Sequence, residues 1–272
     1  MATETPLPAT RIADLVSYPV KGCAGVPVPS TPLTDAGLAH DRSFMVVDDD
    51  GVFRTQRRWP RLAQVQPAIR GDRIELSAPG AGSITVDVDV IGPRRAVDLF
   101  GTGYRGIDQG DPVAEWLSDV LGARSRLVRV PPEHDRATDG EAPGTSGYAD
   151  SCAVHVLSRS ALDLLNERLP EPLPVDRFRP NIVVDGWQPH DEDRAARIRM
   201  GEAVLGFAKL AIRCAVTTID QRTGHRTGLE PLRTLARYRR VPGEGIAFGA
   251  KFAVLRRGTL AVGDPVVVEA WR

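Results

Sequence analysis

The sequence predicts a mainly β protein of the α+β class, with a barrel-like second half packed against a smaller β-rich first half and few short helices. Three observations predict it. Apolar and polar residues alternate over many short runs, the period that lays one face of a strand on a core. Gly and Pro, 26 and 22 of 272 residues, punctuate these runs as turn residues. Helical periodicity survives over only three short stretches, which favours barrel-like β architecture over a strand–helix–strand sheet.

The elements follow in order. Arg11–Val20 alternates as a strand, with Ile12, Asp14 and Val16 opposite Leu15 and Ser17 until Pro19 interrupts it. Ser43–Val47 and Val52–Thr55 flank Asp48-Asp49-Asp50-Gly51, residues that tolerate the left-handed geometry of a hairpin loop. Arg73–Ser77 and Ser83–Val90 form a second pair around Ala78–Gly82. Asp111 caps a helix with Pro112 at its first position, an apolar stripe of Val113, Trp116, Leu117, Val120 and Leu121, and Gly122 as its stop. Arg126–Val130 reads as a short strand.

Pro131–Ala149 then carries almost no large apolar residue, and a structureless run of that length inside a compact protein is functional or disordered. A division between residues 1–130 and residues 131–272 is placed there. Beyond it, Ala153–Leu157 is a strand, and a helix runs from the Ser158 cap through Leu162, Leu165 and Leu169 to Pro170. Ile182–Val184, Ala203–Phe207 and Leu210–Thr218 read as strands and Pro231–Arg240 as a short helix. Ala247–Leu255 and Thr259–Val268 are the last two strands.

Composition excludes several functions. With 35 basic and 35 acidic residues the formal net charge is zero, which removes the electrostatic footprint of nucleic-acid or anionic-membrane binding. No apolar run approaches the ~20 residues of a membrane span, and Met1–Arg11 has neither a basic start nor an apolar signal core. A soluble, cytoplasmic protein is expected, and a local basic pocket within the neutral total leaves a small anionic ligand open. Cys23, Cys152 and Cys214 form no C-x-x-C pair, which argues against a disulfide framework or a Cys-rich zinc site. An all-thiolate iron–sulfur cluster takes four cysteines, so electrons have to come from outside. Phosphate-loop, dinucleotide, Gly-x-Ser-x-Gly and H-E-x-x-H patterns are absent.

The basic residues are 32 Arg and only three Lys, namely Lys21, Lys209 and Lys251. Base composition of the gene explains most of that bias. A Lys kept among so many Arg is still informative, because a compact ammonium and a planar guanidinium are not interchangeable.

Cys214 follows Arg213 and begins an alternating run to Asp220, which would set the thiol at the start of a strand beside a guanidinium that favours thiolate. Thiolate is the form that ligates a soft metal. A lone cysteine is more often a small buried apolar residue, and spacing leaves that alternative open. Four motifs occur in sequence: Tyr18-Pro19-Val20-Lys21-Gly22-Cys23-Ala24-Gly25, His40-Asp41-Arg42-Ser43-Phe44, Asp176-Arg177-Phe178-Arg179-Pro180-Asn181-Ile182-Val183 and Arg213-Cys214-Ala215-Val216-Thr217-Thr218-Ile219-Asp220. Phe248-Gly249 and Val262-Gly263-Asp264-Pro265-Val266 stand near the end. Together, from about Arg11 to Val268, they resemble the MOSC family with its β-barrel N-terminal domain, in the branch of the amidoxime-reducing components and their bacterial relatives. The chain departs from that pattern at Gly22, where Ser is usual, at Cys152, where a small polar residue is usual, and at Lys251, where an aromatic is expected.

The resemblance implies that Cys214 ligates molybdenum in a molybdopterin cofactor and is the catalytic residue. It implies Lys21, Arg42, Arg179 and Arg213 as cations for the cofactor phosphate. Ser151, the Cys152 backbone and the Gly22 amide would add hydrogen bonds, and Asn181 would donate and accept against the pterin edge. Each has a plainer alternative: surface ion pairs for Arg42 and Arg179, turn or helix caps for Ser151 and Asn181, a core thiol for Cys152. Cys23 is read as structural. The implied activity is reduction of N-hydroxylated compounds such as amidoximes, hydroxamic acids and hydroxylamines by oxygen-atom transfer to molybdenum, with electrons from a ferredoxin-, flavodoxin- or cytochrome-like donor. A cofactor carrier and a cysteine persulfide sulfur-transfer protein are the alternatives. Pro131–Ala149 reads as a mobile cover or a donor-docking surface.

Overall fold

The computed structural model describes residues 10–272; residues 1–9, part of the opening read above as lacking a signal core, lie outside them. Near-continuous apolar runs make the most buried strands. Phe44–Val47 is buried at every position and Ile182–Asp185 at all but its last, as expected of strands covered on both faces. Ile182–Asp185 runs parallel to Val154–Ser158 and antiparallel to Arg11–Ser17. Val154–Ser158 pairs in turn with the long strand Gly245–Arg256, and that strand with Ala203–Ile212. Ala195–Met200, Val266–Trp271, Val26–Pro27 and Arg240–Val241 complete a nine-stranded sheet.

Phe44–Val47 lies instead in a five-stranded sheet with Val20–Lys21, Arg126–Arg129, Thr102–Asp108 and Arg94–Leu99. Gln66–Arg70, Arg73–Ala78 and Gly82–Asp87 form a three-stranded meander. The fold is mainly β, as the sequence predicts, with sheets that stay open. Strands are shared along the chain: Arg11–Ser17 enters the large sheet, and Gly258–Ala261 pairs with Ser30–Thr34. Arg159 reinforces the first of these joints by donating to Asp185 at 2.9 Å and to Asp14 at 2.7 Å. No helix among the described residues is long and apolar enough to cross a membrane.

Several local expectations change. The Asp48–Gly51 turn forms, but Val52–Thr55 makes only single bridges, Val47 with Phe53 and Val52 with Asp98. Arg54 instead buries its guanidinium, donating to Ser125 Oγ at 2.8 Å. The helix Asp111–Leu121 is preceded by Gly110 at φ 96°, whose N–H is accepted by Asp108 at 2.8 Å. Asp111 is therefore a first-turn residue rather than the cap.

The strand expected over Leu210–Thr218 ends at Ile212, and Ala215–Thr218 is a short 3-10 helix. Its cause is local: the hydroxyls of Thr217 and Thr218 donate back to the carbonyls of Cys214 and Ala215 at 3.0 and 2.8 Å, bonds that compete with a strand ladder. Pro131–Ala149 is pinned rather than structureless. Arg136 donates to the carbonyls of Gly147 and Ala149 at 2.8 and 2.6 Å, Ala137–Thr138 pairs with Gly144–Thr145, and Tyr148 is wholly buried.

Three apolar clusters position the site. One fills the large sheet around Ile12, Phe207 and Phe252, and a second lies in the first half around Phe44, Leu62 and Leu117. A third gathers Leu162, Leu165, Phe178 and Phe248, with the two Phe ring centroids 4.4 Å apart.

Beside this third cluster Glu192 is fully buried, and neither carboxylate oxygen finds a hydrogen-bond partner among the described residues. Burial, with the neighbouring Asp193 carboxylate acting in the same direction, pushes its carboxyl from 4.5 up to about 7. The folded chain thus keeps a proton that the unfolded chain releases, so this contribution to stability is full below pH 4.5 and lost as pH rises through about 7. In urea unfolding, Glu192→Gln should gain on the natural protein from pH 5 to pH 8; a difference that does not vary with pH would refute the burial argument.

Candidate functional site

A cavity of about 560 Å³ opens among the turns that join these sheets, and all nine residues singled out in the sequence line it: Lys21, Gly22, Arg42, Ser151, Cys152, Arg179, Asn181, Arg213 and Cys214. Their frame is the buried carboxylate of Asp41. Its Oδ1 accepts the Tyr18 backbone N–H at 2.8 Å and the Asn181 amide at 2.9 Å, and its Oδ2 accepts Arg42 at 2.6 Å.

Asn181 closes the frame. Its Nδ2 also donates to the Val16 carbonyl at 3.1 Å, while its Oδ1 accepts from Arg42 and from the His155 backbone, each at 3.1 Å. A side-chain amide has two donors and two acceptor positions, so none is left for the pterin edge expected of it. The plain turn-cap alternative fails as well, because the amide ties three segments together.

Arg42 and Arg179 both lie over the Tyr18 ring, at 4.2 and 4.3 Å. Both adopt the left-handed backbone, φ 47° and 54°, a strained conformation that clusters at functional sites. Arg42 is paired with Asp41. Arg179 reaches only Gln221, at 3.2 Å, and Arg213 donates to the Phe178 carbonyl at 2.8 Å while its buried Nε has no partner. Burial lowers the pKa of both, that of Arg213 to about 10. Two guanidiniums without a carboxylate partner among the described residues are a fitting seat for an anion.

Lys21 is buried, donates to the Tyr148 carbonyl at 2.9 Å and pairs with Asp150. Burial lowers its pKa and Asp150 pulls it back. The Lys21 ammonium holds the Asp150 carboxyl well below the usual carboxylate range. The rings of Phe53 and Phe100 stand 5.4 and 4.9 Å from the Lys21 nitrogen. Gly22 has φ 80°, a conformation that penalises any side chain, which accounts for glycine there. Its carbonyl accepts Gln56 at 2.7 Å.

The three thiols differ sharply. Cys23 is buried and pushed up to about 12 by desolvation. Cys152 is buried, raised in the same way, and donates to the Asp139 carbonyl at 3.4 Å. Cys214 is exposed on the cavity wall. Among the described residues no three His, Cys, Asp or Glu side chains are placed to hold a metal ion. A metal at Cys214 would need most of its donors from a non-protein ligand, and a dithiolene-bearing pterin with a phosphate is such a ligand.

Sequence reasoning missed Asp150, His155, Lys209 and Lys251, which also line the cavity. The rarity of Lys carried the signal for two of them. His155 had none: its Nδ1 lies 3.4 Å from the Arg179 carbonyl, and its Nε2 fits only because residue 249 is glycine, whose added Cβ would stand 2.4 Å away.

Residues 9–124 match the family described as MOSC N-terminal beta barrel domain, and residues 143–267 match the MOSC domain. The chain is 35% identical to mitochondrial amidoxime reducing component 2 of Rattus norvegicus over 92% of this chain and 80% of that one. It is 31% identical to mitochondrial amidoxime-reducing component 1 of Homo sapiens over 94% of this chain and 82% of that one. Molybdenum cofactor sulfurase of Drosophila grimshawi is 32% identical over 95% of this chain but only 34% of its own length.

The burial pattern predicts that a bulky thiol reagent labels one cysteine per folded cofactor-free chain within seconds. Cys214→Ser should abolish that fast phase and leave the slow labelling that follows unfolding. Fast labelling that survived the substitution would place the accessible thiol elsewhere.

Proposed function

The chain belongs to the MOSC family, and on that premise we propose that it is an oxidoreductase that binds a molybdenum–molybdopterin cofactor at Cys214 and reduces N-hydroxylated compounds with electrons from an external donor. Amidoximes, hydroxamic acids and hydroxylamines are the substrate classes. The observation that carries this reading is one exposed thiol on the same cavity wall as two guanidiniums that lack carboxylate partners among the described residues, in a cavity large enough for an organic ligand. The names of the relatives that align over nearly the whole chain favour it further.

When bound, the cofactor supplies two-electron chemistry that takes the oxygen from an N–OH group. The chain's own residues do the rest. Cys214 contributes a soft sulfur donor. Arg179 and Arg213, half-buried and without acidic partners among the described residues, hold the phosphate by charge-assisted hydrogen bonds. Lys21 spends two of its three N–H groups on Tyr148 and Asp150 and keeps one for the ligand. The Ser151 hydroxyl, bonded to nothing among the described residues, adds a neutral donor. Asn181 is a positioning residue: it fixes the Arg42 guanidinium. Phe53 and Phe100 set their ring faces against the Lys21 ammonium.

Protein from a cofactor-competent host should carry one molybdenum, one phosphate and one pterin per chain and reduce benzamidoxime when a reduced donor is supplied. In a molybdenum-loaded Cys214→Ala variant, turnover should fall by more than the ~100-fold that loss of an outer-shell partner of a metal ligand costs; full turnover would remove the ligand role. Cofactor transfer to apo-enzymes without product would identify a carrier. Persulfide on Cys214 with no molybdenum would identify a sulfur-transfer protein.

A further inference from the structure

All three lysines of this arginine-rich chain line the same cavity, and only Lys21 has a part in the function proposed above. The other two belong to a row that crosses three neighbouring strands. In Gly245–Arg256, Lys251 stands opposite His155 of Val154–Ser158 on one side and opposite Lys209 of Ala203–Ile212 on the other. Residues directly opposite one another in antiparallel strands share a face, and all three line the cavity wall.

The members of the row are not equally satisfied. Lys209 is answered by Asp139 at 2.6 Å. His155 is neutral, because burial and the charges of Lys251 and Arg213 drive its pKa far below the usual imidazole value. Lys251, at the centre, has no carboxylate within 4.0 Å and no hydrogen bond among the described residues. Burial and the guanidiniums of Arg42 and Arg213 push its ammonium down to about 7. An ammonium kept in such company is disfavoured unless an anion is brought against it.

The wall as a whole has the same surplus. Eight lining side chains are Lys or Arg, against Asp139, Asp150 and Glu244. Arg179 and Arg213 already suffice to seat a single phosphate, and Lys251 lies on a different element from either. It is also one of the positions where the chain departs from the pattern it otherwise resembles.

We propose that Lys251, with Lys209 beside it, binds an anionic group, a carboxylate or a phosphate, carried by the substrate, so that acidic N-hydroxylated compounds are preferred over neutral ones. The assignment deepens the oxidoreductase reading and rests on it for the identity of the substrate. The geometry also accounts for why lysine is kept here: a compact ammonium on a flexible stem can follow a tethered carboxylate, where a planar guanidinium would need the edge-on approach of a fork.

The test compares the loaded natural enzyme with Lys251→Gln and Lys251→Arg, using benzamidoxime and 4-carboxybenzamidoxime as substrates. The natural enzyme should show a KM about tenfold lower for the carboxylate compound, the worth of one charge-assisted contact. That ratio should collapse towards one in Lys251→Gln and be partly restored in Lys251→Arg. Benzoate, which has no N–OH group, is titrated calorimetrically into the same three proteins and should bind Lys251→Gln about tenfold more weakly. This arm stands even if no N-hydroxy compound is turned over, so failure of the activity reading and failure of the anion site are told apart. Equal KM ratios and equal benzoate affinities would overturn the proposal. So would loss of pterin and phosphate from purified Lys251→Gln, which would assign Lys251 to the cofactor's own phosphate.

Discussion

The site depends on one buried carboxylate. Asp41 accepts a backbone N–H from the end of the first strand, an amide from Asn181 and a guanidinium from Arg42. A buried charge is tolerated only when it is paired and fully hydrogen-bonded, and here that requirement is turned to use. Arg42 reaches Asp41 from a left-handed backbone and lies over Tyr18, where Arg179 also lies. Removing Asp41 would leave Arg42 and the Asn181 amide each short of a partner, so the chain itself holds Arg42 in place.

The electrostatics follow from the contrast between chain and cavity. Formal neutrality overall coexists with a wall that is strongly cationic, eight Lys and Arg against three acidic residues, so the balancing acidic excess lies outside the cavity. In a partly desolvated cleft such a surplus costs more than it would in water and is relieved by an anionic guest. Burial depresses Lys21, Arg179, Arg213, His155 and Lys251 together, and all five line the one cavity.

Much of this was legible in the sequence. Alternating runs gave the mainly β class, and the collinear motifs held seven of the nine residues that share one cavity, Ser151 and Cys152 coming from the wider resemblance. What was hidden depends on register and on hydrogen bonds that composition does not encode. Arg94–Leu99 and Ala195–Met200 carry little strand signal, because arginines at Arg94, Arg95, Arg197 and Arg199 blur the alternation. The 3-10 helix after Cys214 is set by two threonine hydroxyls folding back on the chain. His155 and Lys251 become neighbours only because two strands separated by almost a hundred residues pair with that alignment. Asn181 looked free to meet a ligand, yet its four hydrogen-bonding positions are consumed inside the protein.

The strand Arg11–Ser17 sits in the large sheet although its neighbours in sequence build the other half. It covers one edge of Ile182–Asp185, a stretch of three consecutive β-branched aliphatics before an aspartate. A proteolytic cut or gene truncation that removed the first forty residues would uncover that edge, and uncovered aliphatic edges recruit other chains. Fragments begun at the later region would therefore tend to precipitate, whereas the uncut polypeptide hides its own stickiest ribbon.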